Sequence, residues 1–173
     1  MPSSPFKEPR LRPAEPADLA TIARIHREAF FAAMPHMPDL HTPEEDLAFY
    51  TTQVFPNCEM RLAECDGVVA GFIAWWPGWI NHLYLLPAFQ RQGLGRLLLA
   101  QAKADQAELR LWAFQCNTRA RCFYEKHGFI PELETDGSGN DERQPDILYR
   151  WRRGAEEKGV LDDAPERSKT ASP

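Results

Sequence analysis

Apolar positions along this chain recur in two rhythms, and the switches between them mark its elements. The stretch RLRPAEPADLATIARIHREAFFAAM opens with a short strand and passes into a helix. Pro16 sits at the entry, and Leu19, Ile22, Ala23, Ile25 and Phe30 fall on one helical face. Thr42, followed by Pro43, Glu44 and Glu45, signals a second helix start, with Leu47, Tyr50 and Val54 along it. The period then changes to two. CEMRLAEC and VVAGFIAWW read as strands joined by a tight hairpin turn at Asp66 and Gly67, and WINHLYLL follows the turn at Pro77 and Gly78. LGRLLLAQA returns to helical spacing, and ELRLWAF alternates again. Asn117 and Thr118 can cap the next helix; Ala120, Phe123, Tyr124 and His127 form its inner stripe, and Gly128 ends it. GFIPELET and PDILYRWR are the last two strands. The predicted order is β-α-α-β-β-β-α-β-α-β-β, a mixed α/β single domain.

Composition sets the outer bounds. A chain of 173 residues, 43% hydrophobic, is one domain with a substantial core, and no apolar run is long enough for a membrane span. Its formal charge of −5 argues against a general nucleic-acid binder. MPSSPFKEPR lacks the apolar core of a signal peptide, so the expected location is cytoplasmic. Residues 1–9 hold three prolines and read as a loose arm, residues 154–173 as a disordered tail, and residues 10–153 as the folded unit. Cys58, Cys65, Cys116 and Cys122 lack zinc-site spacing, so no metal is expected and the thiols are expected reduced.

The segment QRQGLGRLLLAQA carries the first chemical signal. It lies between a strand and a helix, where backbone N–H groups can turn outward to receive an anion. Gly93 and Gly95 let a phosphate approach the main chain, and Arg91 and Arg96 add full charges at the edges. Two glycines alone make only a sharp turn. The dinucleotide fingerprint fails because Leu98 stands where a third glycine is needed, and the G-K-[ST] of a P-loop is absent.

The surroundings decide between these readings. NHLYLLPAFQRQGLGRLLLAQA followed by NTRARCFYEKHGF closely resembles the GNAT family of acetyl-CoA-dependent N-acyltransferases. Gln90, Gly93 and Gly95 match that family's [QR]-x-x-G-x-[GA] loop; Asn117, Ala120, Tyr124, Gly128 and Phe129 match its later N-x-x-A-x-x-x-Y-x-x-x-G-F signature. The resemblance spans roughly residues 10–152 and implies a twisted, mostly antiparallel sheet flanked by helices. It implies that the main chain of Leu83, Tyr84 and Leu85 pairs with the pantetheine arm of acetyl-CoA. It also implies that Arg91, Gln92, Gly93, Leu94, Gly95 and Arg96 hold the pyrophosphate, with Asn117 near the thioester. Tyr124 is then the general acid for the leaving thiolate, and the Leu85 N–H faces the developing oxyanion. A homodimer is common in such enzymes.

The implied reaction is acetyl transfer to a primary amine of a small molecule, amino acid or peptide. Two alternatives stand beside it: a non-catalytic acyl-CoA sensor, and an acyltransferase using another donor. An alkylamine has a pKa of about 10 and must lose a proton before it attacks. Enzymes of this family that acetylate ribosomal protein N-termini carry a glutamate five residues before the signature asparagine, and Trp112 stands there in this chain. Strand alternation places Trp79 and Asn81 on one face and Ile80, His82 and Tyr84 on the other. By the resemblance the Asn81 face meets the acceptor. His82 then stands as a candidate base on the opposite face or as a hydrogen-bonded core residue, and another group or water is the alternative for taking the proton. Trp75, Trp76 and Trp79 are expected either to wall the acceptor or to form a satellite core. His36, Asp39 and His41, with the acidic loops HMPDLHTPEED and TDGSGNDERQPD, are further candidates for the acceptor side.

Overall fold

The computed structural model describes residues 8–155 of the chain. All but two residues of the expected arm and of the expected tail lie outside the described residues. The elements are β1 (Arg10–Pro13), α1 (Leu19–Ala33), α2 (Pro43–Phe49), β2 (Glu59–Cys65), β3 (Val68–Trp76), β4 (Trp79–Leu85), α3 (Leu94–Lys103), β5 (Glu108–Phe114), α4 (Thr118–Lys126), β6 (Ile130–Glu134) and β7 (Asp146–Arg152). Their order is the predicted one.

Local chemistry sets the ends of these elements. Thr42 Oγ1 accepts from the Glu45 N–H at 3.2 Å while the Glu45 carboxylate accepts from the Thr42 N–H at 2.8 Å, a reciprocal cap on α2. A π-helical turn, Tyr50–Val54, prolongs α2. Asp66 and Gly67 both take left-handed φ, 51° and 81°, as a two-residue hairpin requires.

The strands form one seven-stranded sheet, ordered β1-β2-β3-β4-β5-β7-β6. Every pairing is antiparallel except β4 with β5, which is parallel and joined at a single register position, Trp79 opposite Arg110. Beyond that point the two strands separate. One core lies between the sheet and α3 and α4, with Ile73, Trp75, Ile80, Leu98, Leu111 and Tyr149 at its centre. The other lies against α1 and the π-turn, around Ile22, Ile25, Tyr50, Leu62 and Phe72. Ala29, not Phe30, completes the buried stripe of α1; Phe30 is only half-buried.

One expectation about β4 is corrected. The register with β3 slips between Ala74 opposite His82 and Trp75 opposite Ile80, leaving Asn81 as an extra residue. The bulge breaks the alternation. Ile80 joins the α3 core, whereas His82 packs beside Tyr50 and His26 on the α1 side.

Candidate active site

Where β4 and β5 part, a cavity of about 750 Å³ opens through the sheet. The α3–α4 side of the cavity carries Arg91, Arg96, Arg119 and Lys126. Its α1 side carries Ala29, Phe30, Ala33, Met34, Trp112 and Phe114. Asn81, His82, Leu83, Tyr84, Leu85, Asn117 and Tyr124 line it between the two. No carboxylate is among the lining residues.

The β4 edge facing the gap has free main-chain groups. In an antiparallel ladder, the N–H and C=O of one residue point the same way and alternate from residue to residue. The Leu86 N–H donates to Ala70 O at 2.9 Å, so the main chain of Tyr84 also turns toward β3, opposite Phe72. Leu83 and Leu85 turn theirs to the gap. The Leu85 carbonyl is met there by Gln90 Nε2 at 3.1 Å, and Gln90 Oε1 accepts from Arg119 Nη1 at 2.6 Å. The glutamine thereby ties the loop to β4 and to α4.

The loop itself is shaped for close approach. Arg91 and Gly93 have φ of 63° and 83°, and a Cβ on Gly93 would meet nothing within 4 Å. The first helical bond of α3 runs from Leu97 N to Gly93 O at 3.1 Å. The N–H groups of Leu94, Gly95 and Arg96 therefore precede it without intrahelical partners. A Cβ on Gly95 would come within 3.2 Å of the Phe123 ring, so the glycine lets α3 and α4 approach each other. Arg91, Gly93, Gly95 and Arg96 line the cavity, while the Leu94 side chain lies in the core and Gln92 Nε2 donates to Ala88 O.

Asn117 Oδ1 accepts from the Ala120 N–H at 3.2 Å and so caps α4; its amide nitrogen remains as a donor at the cavity. Two turns after Asn117, Tyr124 is buried among Phe123, Phe129 and Tyr149 and lines the cavity. Burial pushes its phenol pKa well up, so it keeps its proton. His127 Nδ1 lies 2.7 Å from Phe123 O and finishes the helix.

Four aromatic rings meet on the α1 side. His26 stacks on Tyr84 at 4.4 Å between centroids, and its Nδ1 lies 3.0 Å from the Tyr50 hydroxyl. His82 is 5.7 Å from His26 and 5.3 Å from Tyr50. Burial lowers the His82 pKa to about 3, with His26 adding to the effect, and lowers that of His26 to about 4. Both rings are neutral at pH 7. Contrary to the expectation from simple alternation, His82 reaches the cavity wall together with Asn81. Asn81, whose face the resemblance turned toward the acceptor, has a buried Oδ1 with no hydrogen-bond partner among the described residues. Its place at an unpaired bulge, which also brings His82 to the cavity, is invisible in a run of residues.

The other acceptor-side candidates lie elsewhere. Trp75 is in the α3 core, and Trp76 and Trp79 do not line the cavity. Asp39 and Asp46 pair with Arg27, and the His41 carbonyl accepts from the same guanidinium. Asp146 is held by Thr135 and Asn140.

Comparison with known proteins agrees with this architecture. Residues 56–131 match the acetyltransferase (GNAT) domain family. An uncharacterized N-acetyltransferase of Archaeoglobus fulgidus is 26% identical over 149 residues, covering 76% of this chain and 99% of the relative. The apo solution structure of YjaB from Escherichia coli superposes with a TM-score of 0.71 at 17% identity, over 84% of this chain and 98% of that one. The PaiA N-acetyltransferase of Thermoplasma acidophilum, solved in complex with coenzyme A, superposes with a TM-score of 0.62 at 21% identity, over 84% and 99%.

Proposed function

We propose, from the premise that the chain belongs to the GNAT acetyltransferases, that it moves an acetyl group from acetyl-CoA to a primary amine through the gap between β4 and β5. The observation that carries the reading is this gap, with an unpaired strand edge on one side and a glycine loop at its mouth. The edge fits the amides of a pantetheine arm: Leu83 offers its N–H and carbonyl and Leu85 its N–H, the Leu85 carbonyl being held by Gln90. The free N–H groups of Leu94, Gly95 and Arg96, with the Arg91 and Arg96 guanidinia, fit a pyrophosphate. The coenzyme A in the PaiA complex supports the same donor here.

Bound there, acetyl-CoA supplies an acyl carbon that gains a C–N bond as its C–S bond breaks, the amine losing one proton and the sulfur gaining one. Tyr124 Oη holds the proton that the sulfur receives, kept in place by the burial that raises its pKa. The Asn117 amide nitrogen orients the arm, and the Leu85 N–H faces the carbonyl oxygen. On the other side, Asn81 Oδ1 and the neutral His82 ring accept hydrogen bonds from the amine N–H groups. His82, with its pKa lowered to about 3, orients the amine without storing its proton, which passes to water. An ammonium entering the cavity would lose hydration and meet no carboxylate among its lining residues, so the amine enters as the free base.

Calorimetric titration with acetyl-CoA, with coenzyme A as comparator, tests the donor site. One-site saturable binding is expected. Absence of binding to both would remove the donor assignment and leave the glycines as a turn.

A further inference from the structure

The two mouths of the cavity differ in chemistry. All four cations among the lining residues, Arg91, Arg96, Arg119 and Lys126, lie on the α3–α4 side, where a phosphate-bearing donor enters. The α1 mouth has none. Phe30 and Phe114 meet edge to face at 6.2 Å across that mouth, joining α1 to β5. Met34 and Ala33 extend the wall along α1. Trp112, 46% exposed, extends it along β5. Charged groups of α1 are engaged with partners outside the lining. Arg27 is bound by Asp39 and Asp46 on the flank of α1, and Arg24 pairs with Glu28. The Glu142 carboxylate, in the loop before β7, is felt at Tyr84 but is not part of the lining. Deeper in stands the neutral ring of His82, with His26 packed behind it against Tyr84.

We infer that the acceptor is a primary amine whose body is uncharged and apolar, an aryl group on a short alkyl chain, seated between Phe30, Met34, Trp112 and Phe114. The inference rests on the acetyltransferase reading and specifies its second substrate class. An aromatic body gains from edge-to-face packing on Phe30 and Phe114 and from burial of its own surface. A diamine or a lysyl peptide would bring a second charge against a wall whose lining residues include no carboxylate.

The test uses the full chain and two readouts. Calorimetry with acetyl-CoA reports the donor site on its own. Thiol release then compares 2-phenylethylamine with 1,4-diaminobutane and with a lysine-containing peptide, each at several concentrations. The expected kcat/KM for phenylethylamine is about 100-fold above that for the diamine. Phe30→Asp and Ala33→Asp, each checked by circular dichroism, should narrow or reverse the ratio by supplying the missing counter-charge. Ala33 is exposed at the end of α1, so its variant keeps the test alive if Phe30→Asp fails to fold.

Equal or faster turnover of the diamine or the peptide would overturn the inference. So would thiol release from none of the amines by a protein that binds acetyl-CoA, or an unchanged ratio in a folded Ala33→Asp variant. No acetyl-CoA binding would instead bring down the reading beneath it, and the inference with it.

Discussion

Ile80 and His82, two residues apart on β4, point to opposite faces of the sheet. The extra residue between them, Asn81, makes this possible by taking no partner on β3. The bulge sends Ile80 into the α3 core, brings His82 to the aromatic cluster under α1, and leaves the Asn81 amide at the cavity with an unused acceptor.

That unused acceptor yields a prediction with two opposite signs. Asn81→Leu removes a buried, unpaired oxygen, which costs about 1–3 kcal/mol where it is left unsatisfied. The variant should therefore unfold at equal or higher denaturant concentration than the parent. Its KM for the amine should rise about tenfold, the loss of one good hydrogen bond. Affinity for acetyl-CoA should not move. Chemical denaturation, steady-state kinetics and calorimetry check the three parts separately.

Tyr124→Phe keeps the ring that packs on Phe129 and Tyr149 and removes only the hydroxyl. Turnover should fall about 100-fold or more, the usual contribution of a positioned acid, with acetyl-CoA affinity within about twofold of the parent. Wild-type turnover in the variant would remove Tyr124 as the proton donor.

Gly93 sits at φ 83° in open space. Gly93→Asp meets no steric block, but it strains the backbone by about 1–2 kcal/mol and places an anion at the mouth of the loop. The expected result is a modest fall in melting temperature and a Kd for acetyl-CoA at least about tenfold weaker. If calorimetry shows unchanged affinity, the loop does not hold the pyrophosphate.

Two pH profiles follow from the neutral cluster. His26 and His82 titrate near 4 and 3 in the folded chain, below the free value of 6.5. Between about pH 6.5 and 4 the unfolded chain therefore binds more protons, and stability falls as the pH falls. Each such proton tilts stability by about 1.4 kcal/mol per pH unit. Thermal melts from pH 7 to pH 4 should drop steadily, and less steeply for His26→Asn. Activity should follow a different course. kcat/KM should rise with pH toward the pKa of the amine, about 10, without a histidine inflection near 6.5, because the free base is the form that enters.

Much of the fold was legible because its boundaries are written in local chemistry. Thr42 with Glu45, Asp66 with Gly67, and Asn117 before Ala120 each specify an end or a turn through their own side chains, and each stands where sequence placed it. The glycine loop was legible for the same reason. What escaped depends on pairing between distant segments. Nothing in WINHLYL announces that Asn81 will be skipped by β3, so alternation put Ile80 and His82 together. Phe30 and Ala29 are neighbours on α1, and which of them is buried depends on how β5 diverges beneath the helix. The tryptophans drew attention by their number, yet Trp112, on a different strand, is the one that reaches the cavity.

The single tie between β4 and β5, Trp79 opposite Arg110, has a consequence for traffic. The opening it leaves runs from one layer of helices to the other, with doors of opposite polarity at its ends. Under the proposed reading, donor and acceptor have separate entrances, and each product can leave by the door through which its own substrate came. Nothing about this passage forces one to wait for the other, so product-inhibition patterns should report random rather than ordered departure.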